Sequence, residues 1–308
     1  MAHPPGASRP ICDYEGSGYK EDFWISGGRE YEDLAERHAL TRLLPARGRR
    51  LLEIGAGFGR LASLYAGYEE VVLLDYSRSL LEQARAEWGA DPRFTFVAAD
   101  LYDLPFFPGQ FDAVVMVRVI HHLVDVPQAF RQVQRVLAGQ GSFILEFANK
   151  RNLKAILRYL LRRQAWNPFD PQPVEFVRLN FDFHPAWMLE RAREAGFRVE
   201  RTLALSHFRL PLLKRAVPPR RLARLDAWLQ PLAGRWPLSP SVMLRLRPVA
   251  VRRPAGDVLF RCLACGDGRL LPAEGGLRCA ECGRLWPARG SVFDFKPDEC
   301  PQFAPRGR

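Results

Sequence analysis

Five short runs rich in Val, Leu, Ile or Phe, at residues 50–55, 70–75, 93–98, 111–117 and 142–148, are separated by stretches with helical spacing near 59–66, 78–88 and 126–138. Strand-length apolar runs alternating with amphipathic helices predict parallel strands joined by crossovers, because a parallel sheet must be covered on both faces. A further helix-strand pair over 185–205 and a last run over 241–251 bring the strand count to seven. A helix is expected from Tyr31 to Leu44, where Pro45 ends it, and the Gly/Pro/Ser-rich residues 1–30 read as an irregular arm with scattered aromatics. The fold class is therefore α/β, with a mostly parallel seven-stranded sheet and helices on both faces.

The end of the first run, 51-LLEIGAGFGRL-61, places glycines at 55, 57 and 59 behind Glu53. Glycine tolerates backbone conformations closed to other residues and lets a ligand approach the main chain. Open α/β sheets bind ligands outside the carboxyl ends of their strands, where this loop falls. A dinucleotide site would use G-x-G-x-x-G. The spacing here is one residue shorter, and the glutamate suits a sulfonium cation better than a pyrophosphate, which prefers an uncompensated helix N-terminus. There is also no Y-x-x-x-K pair of the kind many nicotinamide reductases use.

On these residues the chain resembles the class I S-adenosylmethionine (SAM)-dependent methyltransferases of the methyltransferase type 11 kind, over about residues 45–206. The resemblance implies a Rossmann-like sheet and a cofactor site built from Glu53, Gly55, Gly57, Gly59, Asp75, Tyr76, Asp100, Leu101 and Val117. In 71-VVLLDYS-77, Asp75 would accept hydrogen bonds from the ribose hydroxyls. In 97-VAADLYDLPF-106, Asp100 would read the adenine amino group and Leu101 would pack near the ring. The stretches 111-FDAVVMVRVIHHLVD-125 and 136-VLAGQGSFILEF-147 are similar to the fourth motif and to the turn into the fifth strand. Taken singly, an aspartate after a strand also serves as a turn residue or helix cap.

The implied chemistry is in-line displacement at the SAM methyl, for which the protein aligns the reactants and excludes water. A general base is needed only when the nucleophile arrives protonated. His121 and His122, just past the fourth strand, are the candidates, against the alternative that one caps a helix and the other packs. His184, ahead of Pro185, reads as a structural residue at a helix start. The family's Asn/Asp-Pro-Pro-aromatic signature for planar amino groups is replaced by Val117-Arg118-Val119-Ile120, which disfavours that chemistry.

The net charge of +11 is concentrated: residues 150–253 hold 22 Lys and Arg against 7 Asp and Glu. Two basic segments there, 151-RNLKAILRYLLRRQ-164 and 220-RRLARLDAWLQPLAGRW-236, have amphipathic helical spacing and sit where the family often inserts a lid. The first reading is a small-molecule acceptor, lipid-like or aromatic, as in quinone biosynthesis, with the basic faces on an anionic membrane surface. The alternative is RNA of the tRNA type held by its backbone, as 119-VIHHL-123, similar to a motif of wobble-uridine methyltransferases, would suit. A non-catalytic SAM-binding protein is a third, and the oligomeric state is left open. With no signal-type apolar segment near residue 1 and no span-length apolar run, a cytoplasmic location, with peripheral contact to a membrane, is expected.

Four of six cysteines form 262-CLAC-265 and 279-CAEC-282; Cys12 and Cys300 stand outside the pattern. Two C-x2-C knuckles predict a tetrahedral structural zinc site on Cys262, Cys265, Cys279 and Cys282, with a rubredoxin-type iron as the alternative and disulfides disfavoured in a reducing compartment. With 282-CGRLWPARGSVFDF-295, this tail resembles the small zinc-ribbon activator of methyltransferases acting on tRNA, rRNA and release factors. The favoured role is structural, covering an apolar edge of the main domain. The expected organisation is an arm and helix over 1–44, a methyltransferase domain over 45–251 with lid insertions at about 150–184 and 207–240, and a linker at 252–256. A zinc ribbon over 257–297 and a disordered tail over 298–308 complete it.

Overall fold

The structure is a computed structural model that describes residues 9–250, 256–266 and 268–296. The expected linker, save Gly256, falls outside the described residues, as do Cys300 and the 298–308 tail.

The chain runs α1 (Glu30–Leu43), β1 (Gly48–Ile54), β2 (Tyr68–Asp75), α2 (Arg78–Trp88), β3 (Phe94–Ala98), β4 (Phe111–Met116), α3 (Val126–Val136) and β5 (Leu137–Ala148). Then follow α4 (Leu153–Leu160), a hairpin of β6 (Val174–Val177) and β7 (Asn180–Asp182), α5 (Pro185–Glu194), β8 (Phe197–Leu205), α6 (Pro211–Ala216), α7 (Pro219–Ala233) and β9 (Ser241–Pro248). Four short strands end the described chain: β10 (Leu270–Ala273), β11 (Gly276–Cys279), β12 (Leu285–Arg289) and β13 (Val292–Asp294).

The seven expected strands lie in the order β3-β2-β1-β4-β5-β9-β8. β1 pairs in parallel with both β2 and β4, so the chain winds outward first one way and then the other, and the loop after β1 opens at the switch point. Leu51 to Ile54 of β1 are buried on both faces, which is why the run shows no polar alternation. Among these seven strands only β9 runs antiparallel, against both β5 and β8. The helix expected near 59–66 contracts to a 3-10 turn over Ala62–Tyr65, because Gly55, Gly57 and Gly59 at φ +70°, +53° and +77° commit the preceding backbone to non-helical turns.

The sheet then continues beyond seven strands. β13 lies parallel to β3, with Val292, Phe293 and Asp294 opposite Phe96, Val97 and Ala98, so the four-cysteine module extends it to eleven. That pairing satisfies backbone groups that an open edge strand would expose. The module shares the main core: Phe260 packs against Phe106 at 5.6 Å and Phe295 at 5.5 Å, and Trp286 stacks on Phe295 at 5.2 Å. Edge coverage is thus accompanied by a common aromatic stack rather than a separate small core.

In α7 the buried face is not the row Leu222, Leu225, Leu229 and Leu232 that the amphipathic spacing of 220–236 marks as apolar. Leu222 is buried, but Leu225 and Leu232 face solvent, while Asp226 and Gln230 are fully buried. Asp226 explains the rotation: it accepts from the Tyr31 hydroxyl at 3.1 Å and from the backbone N–H of Ser206 and His207 at 3.1 and 2.9 Å. A buried carboxylate with several donors is worth more than one more leucine contact, because leaving those groups unpaired would carry a desolvation cost. Among the described residues no helix is long and apolar enough to cross a membrane.

Candidate functional site

The loop after β1 is held in shape by the acid at the end of β2. Asp75 Oδ2 accepts from the Gly57 N–H at 2.8 Å and Oδ1 from the Ser77 N–H at 2.9 Å. Gly55 cannot carry a side chain, since a Cβ there would meet Val119 Cγ2 at 2.1 Å. Burial pushes the Asp75 carboxyl up to about 6 against these two N–H donors. Glu53, near the end of β1, is pushed by burial up to about 8 against the pull of the nearby Tyr65 hydroxyl, and its buried Oε2 has no partner at good hydrogen-bond geometry. Such an orphaned acceptor beside a glycine loop fits a cationic ligand group.

A cleft enclosing roughly 1050 Å³, its open mouth included, is lined by Gly55, Gly57, Asp75, Tyr76, Asp100 and Leu101, and on its other side by His121 and His122. A side pocket that shares Gly55 and Gly57 with it reaches Glu53 and Val117. Eight of the nine expected cofactor residues therefore converge. Gly59 is the exception: it lines neither space and backs onto Trp88 and Ala84, where it allows the loop to pack on α2. Asp100 Oδ1 accepts from the Tyr102 N–H at 2.8 Å, and burial raises its carboxyl.

The two histidines separate. His122 is held at both ring nitrogens, Nδ1 by the Leu179 carbonyl at 2.8 Å and Nε2 by the Tyr14 hydroxyl at 3.2 Å. Donating from Nδ1 leaves Nε2 to accept from the Tyr14 hydroxyl, so both ring nitrogens of this candidate base are engaged in the structure. His121 lines the cleft with no such clamp, and burial, then His122 and Arg118, hold it well below the usual imidazole range. His184 caps α5, its Nδ1 accepting from the Ala186 N–H at 3.2 Å, as its place before Pro185 implied.

Sequence reasoning missed two parts of the wall. The first is the arm, whose Pro10, Ile11, Cys12, Tyr14, Tyr19 and Phe23 line the cleft. Glu15 pins it by accepting from the N–H of Arg78 and Ser79, at 2.6 and 3.1 Å, on the first turn of α2, where a helix N-terminus favours negative charge. The only available signal was the aromatic spacing of 14-YEGSGYKEDFW-24. The second is Arg118, in the left-handed region at φ 60°. Its N–H donates to Glu146 at 3.0 Å and its Nε to Glu36 at 2.7 Å, and these bonds hold a conformation that costs about 1–2 kcal/mol. Burial alone would raise Glu36, but Arg118 and Arg60 hold it below the ordinary carboxylate range.

In the C-terminal module the four sulfurs of Cys262, Cys265, Cys279 and Cys282 lie within 4.8 Å of one another. The Cys262–Cys282 and Cys265–Cys279 pairs are 3.7 and 3.6 Å apart, close to the ~3.8 Å edge of a tetrahedron with ~2.3 Å zinc–sulfur bonds. Gly268 completes the cradle, since a Cβ there would meet Cys279 Sγ at 2.3 Å. Trp286 Nε1 and the Cys282 N–H donate to Cys262 Sγ and Cys279 Sγ, each at 3.4 Å, as expected around thiolates. These residues could hold a zinc ion.

The module also touches the cleft from behind. Lys296 Nζ donates to the Tyr76 carbonyl at 2.8 Å, Phe295 N–H to the Ala98 carbonyl at 2.8 Å, and Asp294 pairs with Arg78 at 2.5 Å. It thereby braces the loops that carry Asp75 and Asp100.

A methyltransferase domain model matches residues 52–145. A demethylmenaquinone methyltransferase of Clavibacter sepedonicus is 32% identical over 148 residues, 47% of this chain and 59% of that one. A malonyl-[acyl-carrier protein] O-methyltransferase of Halorhodospira halophila is 31% identical over 237 residues, 73% of this chain and 76% of that one. The chain spans about half the length of most curated relatives it matches. Among solved structures, a chain from the complex between the Haloferax volcanii Trm112 methyltransferase activator and a methyltransferase shares the fold. Its TM-score is 0.53 at 18% identity, covering 75% of this chain and 96% of that one. Sheet order, cleft and matched family agree: the chain belongs to the S-adenosylmethionine-dependent methyltransferases of the methyltransferase-domain family.

Proposed function

We propose that this protein transfers the methyl group of SAM to a small-molecule acceptor with apolar or aromatic character. The observation that supports this best is a single cleft in which the glycine loop, Asp75 and Asp100 face His121 beneath an aromatic arm. Asp75 would hold the ribose and Asp100 the adenine, while the unpaired Glu53 oxygen would take the cofactor's ammonium. SAM supplies the electrophilic methyl; the chain binds it, orients it and excludes water. Phe23, Val119 and Leu123 beside His121 offer apolar contacts to an acceptor. Incubating the protein with labelled SAM and fractionated small-molecule, lipid, RNA and protein pools tests the reading. Label confined to RNA or protein would overturn it, and no transfer despite SAM binding would indicate a non-catalytic binder.

His121, neutral at pH 7, is the proposed general base. His121→Ala is expected to lower kcat about 10²–10⁴-fold while SAM affinity stays within a few-fold. A change in kcat under about tenfold would mean that the acceptor arrives already deprotonated, and would remove this role.

The raised carboxyls give a signed pH dependence. Without ligand, Glu53 near 8 and Asp75 near 6 are partly protonated at and below neutrality. A cofactor ammonium and ribose hydroxyl donors favour their ionised forms, so binding releases protons and affinity rises with pH. Calorimetry is expected to show SAM binding tightening by up to about tenfold per pH unit between pH 6 and 8, with proton release at pH 7. Binding independent of pH would exclude Glu53 from the ligand's contacts.

We also propose that the four cysteines hold a structural zinc ion and that the module is a zinc ribbon acting within its own chain. Bracing of the Tyr76 and Ala98 loops by Lys296 and Phe295 supports this.

A further inference from the structure

The apolar faces of the basic insertions are not turned onto the cleft. In α4 only Ala155 is buried, and Leu153, Leu157, Leu160 and Leu161 are 50–66% exposed. On α7 and just after it, Leu225, Trp228, Leu232 and Trp236 form a second outward row, exposed by 55–72%. The two rows adjoin at one end, where the Leu153 N–H donates to the Leu238 carbonyl at 2.8 Å and Asn149 Nδ2 donates to the Pro237 carbonyl at 3.0 Å. The α4 start therefore sits on the segment that leaves α7.

Single exposed leucines are ordinary, but two adjoining rows with two tryptophans are a patch of the kind that marks an interaction site. The surrounding charge limits the partner. Lys154, Arg158, Arg162 and Arg163 are exposed beside the first row, and Arg220, Arg221, Arg224 and Arg235 beside the second. Leucine and tryptophan rows flanked by cations, on helices too short to span a bilayer, match surface-lying elements that sink apolar side chains among lipid tails and set their cations among headgroup phosphates. RNA would use the arginines but leave the leucines in water.

We propose that α4, α7 and the segment after α7 form a docking face for an anionic lipid surface. The proposal is independent of the methyl-transfer reading, because it is read as binding without SAM or acceptor. The test uses the full chain in flotation with phosphatidylcholine vesicles, with and without phosphatidylglycerol. Binding is expected at least about tenfold tighter to the anionic vesicles and to weaken as salt is raised. A Leu157→Glu/Leu161→Glu variant and a Lys154→Glu/Arg158→Glu/Arg162→Glu variant should each lose that binding by about tenfold or more while keeping the parent's melting temperature and SAM affinity. Should either variant fail to fold, the parent protein still decides: brominated lipid should quench its tryptophan fluorescence, and Trp228→Phe/Trp236→Phe should remove most of that quenching. Equal affinity for neutral and anionic vesicles, absence of quenching, binding of tRNA in place of vesicles, or a dimer that buries the same face and leaves vesicles unbound would each overturn the proposal.

Discussion

Asp75→Asn is expected to weaken SAM binding by at least about 100-fold. The carboxylate has about four lone-pair sites, and backbone N–H groups of Gly57 and Ser77 use two of them, one on each oxygen. The others remain for two ribose hydroxyls, and hydrogen bonds to a charged group contribute about 1.5–3 kcal/mol each. Asparagine keeps the shape, but one of its two positions becomes a donor that opposes both the Gly57 N–H and the ribose. The loop and the ligand are therefore penalised together. Calorimetry with SAM and S-adenosylhomocysteine measures the loss, and a thermal melt of the unliganded variant separates loop damage from ligand contact. An affinity within about threefold of the parent would mean that the ribose lies elsewhere, and the assignment of the cleft would fall with it.

The second large effect is expected from the cysteines. Cys262→Ser/Cys279→Ser, or removal of metal by a strong chelator, should release about one zinc per chain, since two of four tetrahedral ligands cannot retain it. Metal binding supplies on the order of 10–16 kcal/mol to small zinc modules, more than the short strands β10 to β12 could replace. Losing the module strips β13 from β3 and bares the faces of Phe106 and Phe260. Aggregation and a lowered melting temperature are the expected consequences, followed through light scattering and calorimetry. SAM affinity should also fall, because Tyr76 and Arg78 lose Lys296 and Asp294. Metal-free protein that melts and binds SAM like the parent would show that the sulfurs are ornamental to this chain.

The central sheet was legible because a strand buried on both faces must be apolar throughout, as Leu51 to Ile54 are. The cleft acids were legible for a related reason, since strand ends at a switch point are few and Asp75 and Asp100 occupy two of them. What could not be read depended on long-range pairing. The rotation of α7 follows from Tyr31, which lies 195 residues from Asp226. Attachment of β13 to β3 is a register between residues 292–294 and 96–98, and nothing local announces it. Nor do local residues show that His122 is clamped between Tyr14 and the Leu179 carbonyl.

The arm fastened by Glu15 supplies part of the cleft wall and is tied to the first turn of α2. Whatever the cleft takes up therefore meets two walls that move as one, the arm and the start of α2.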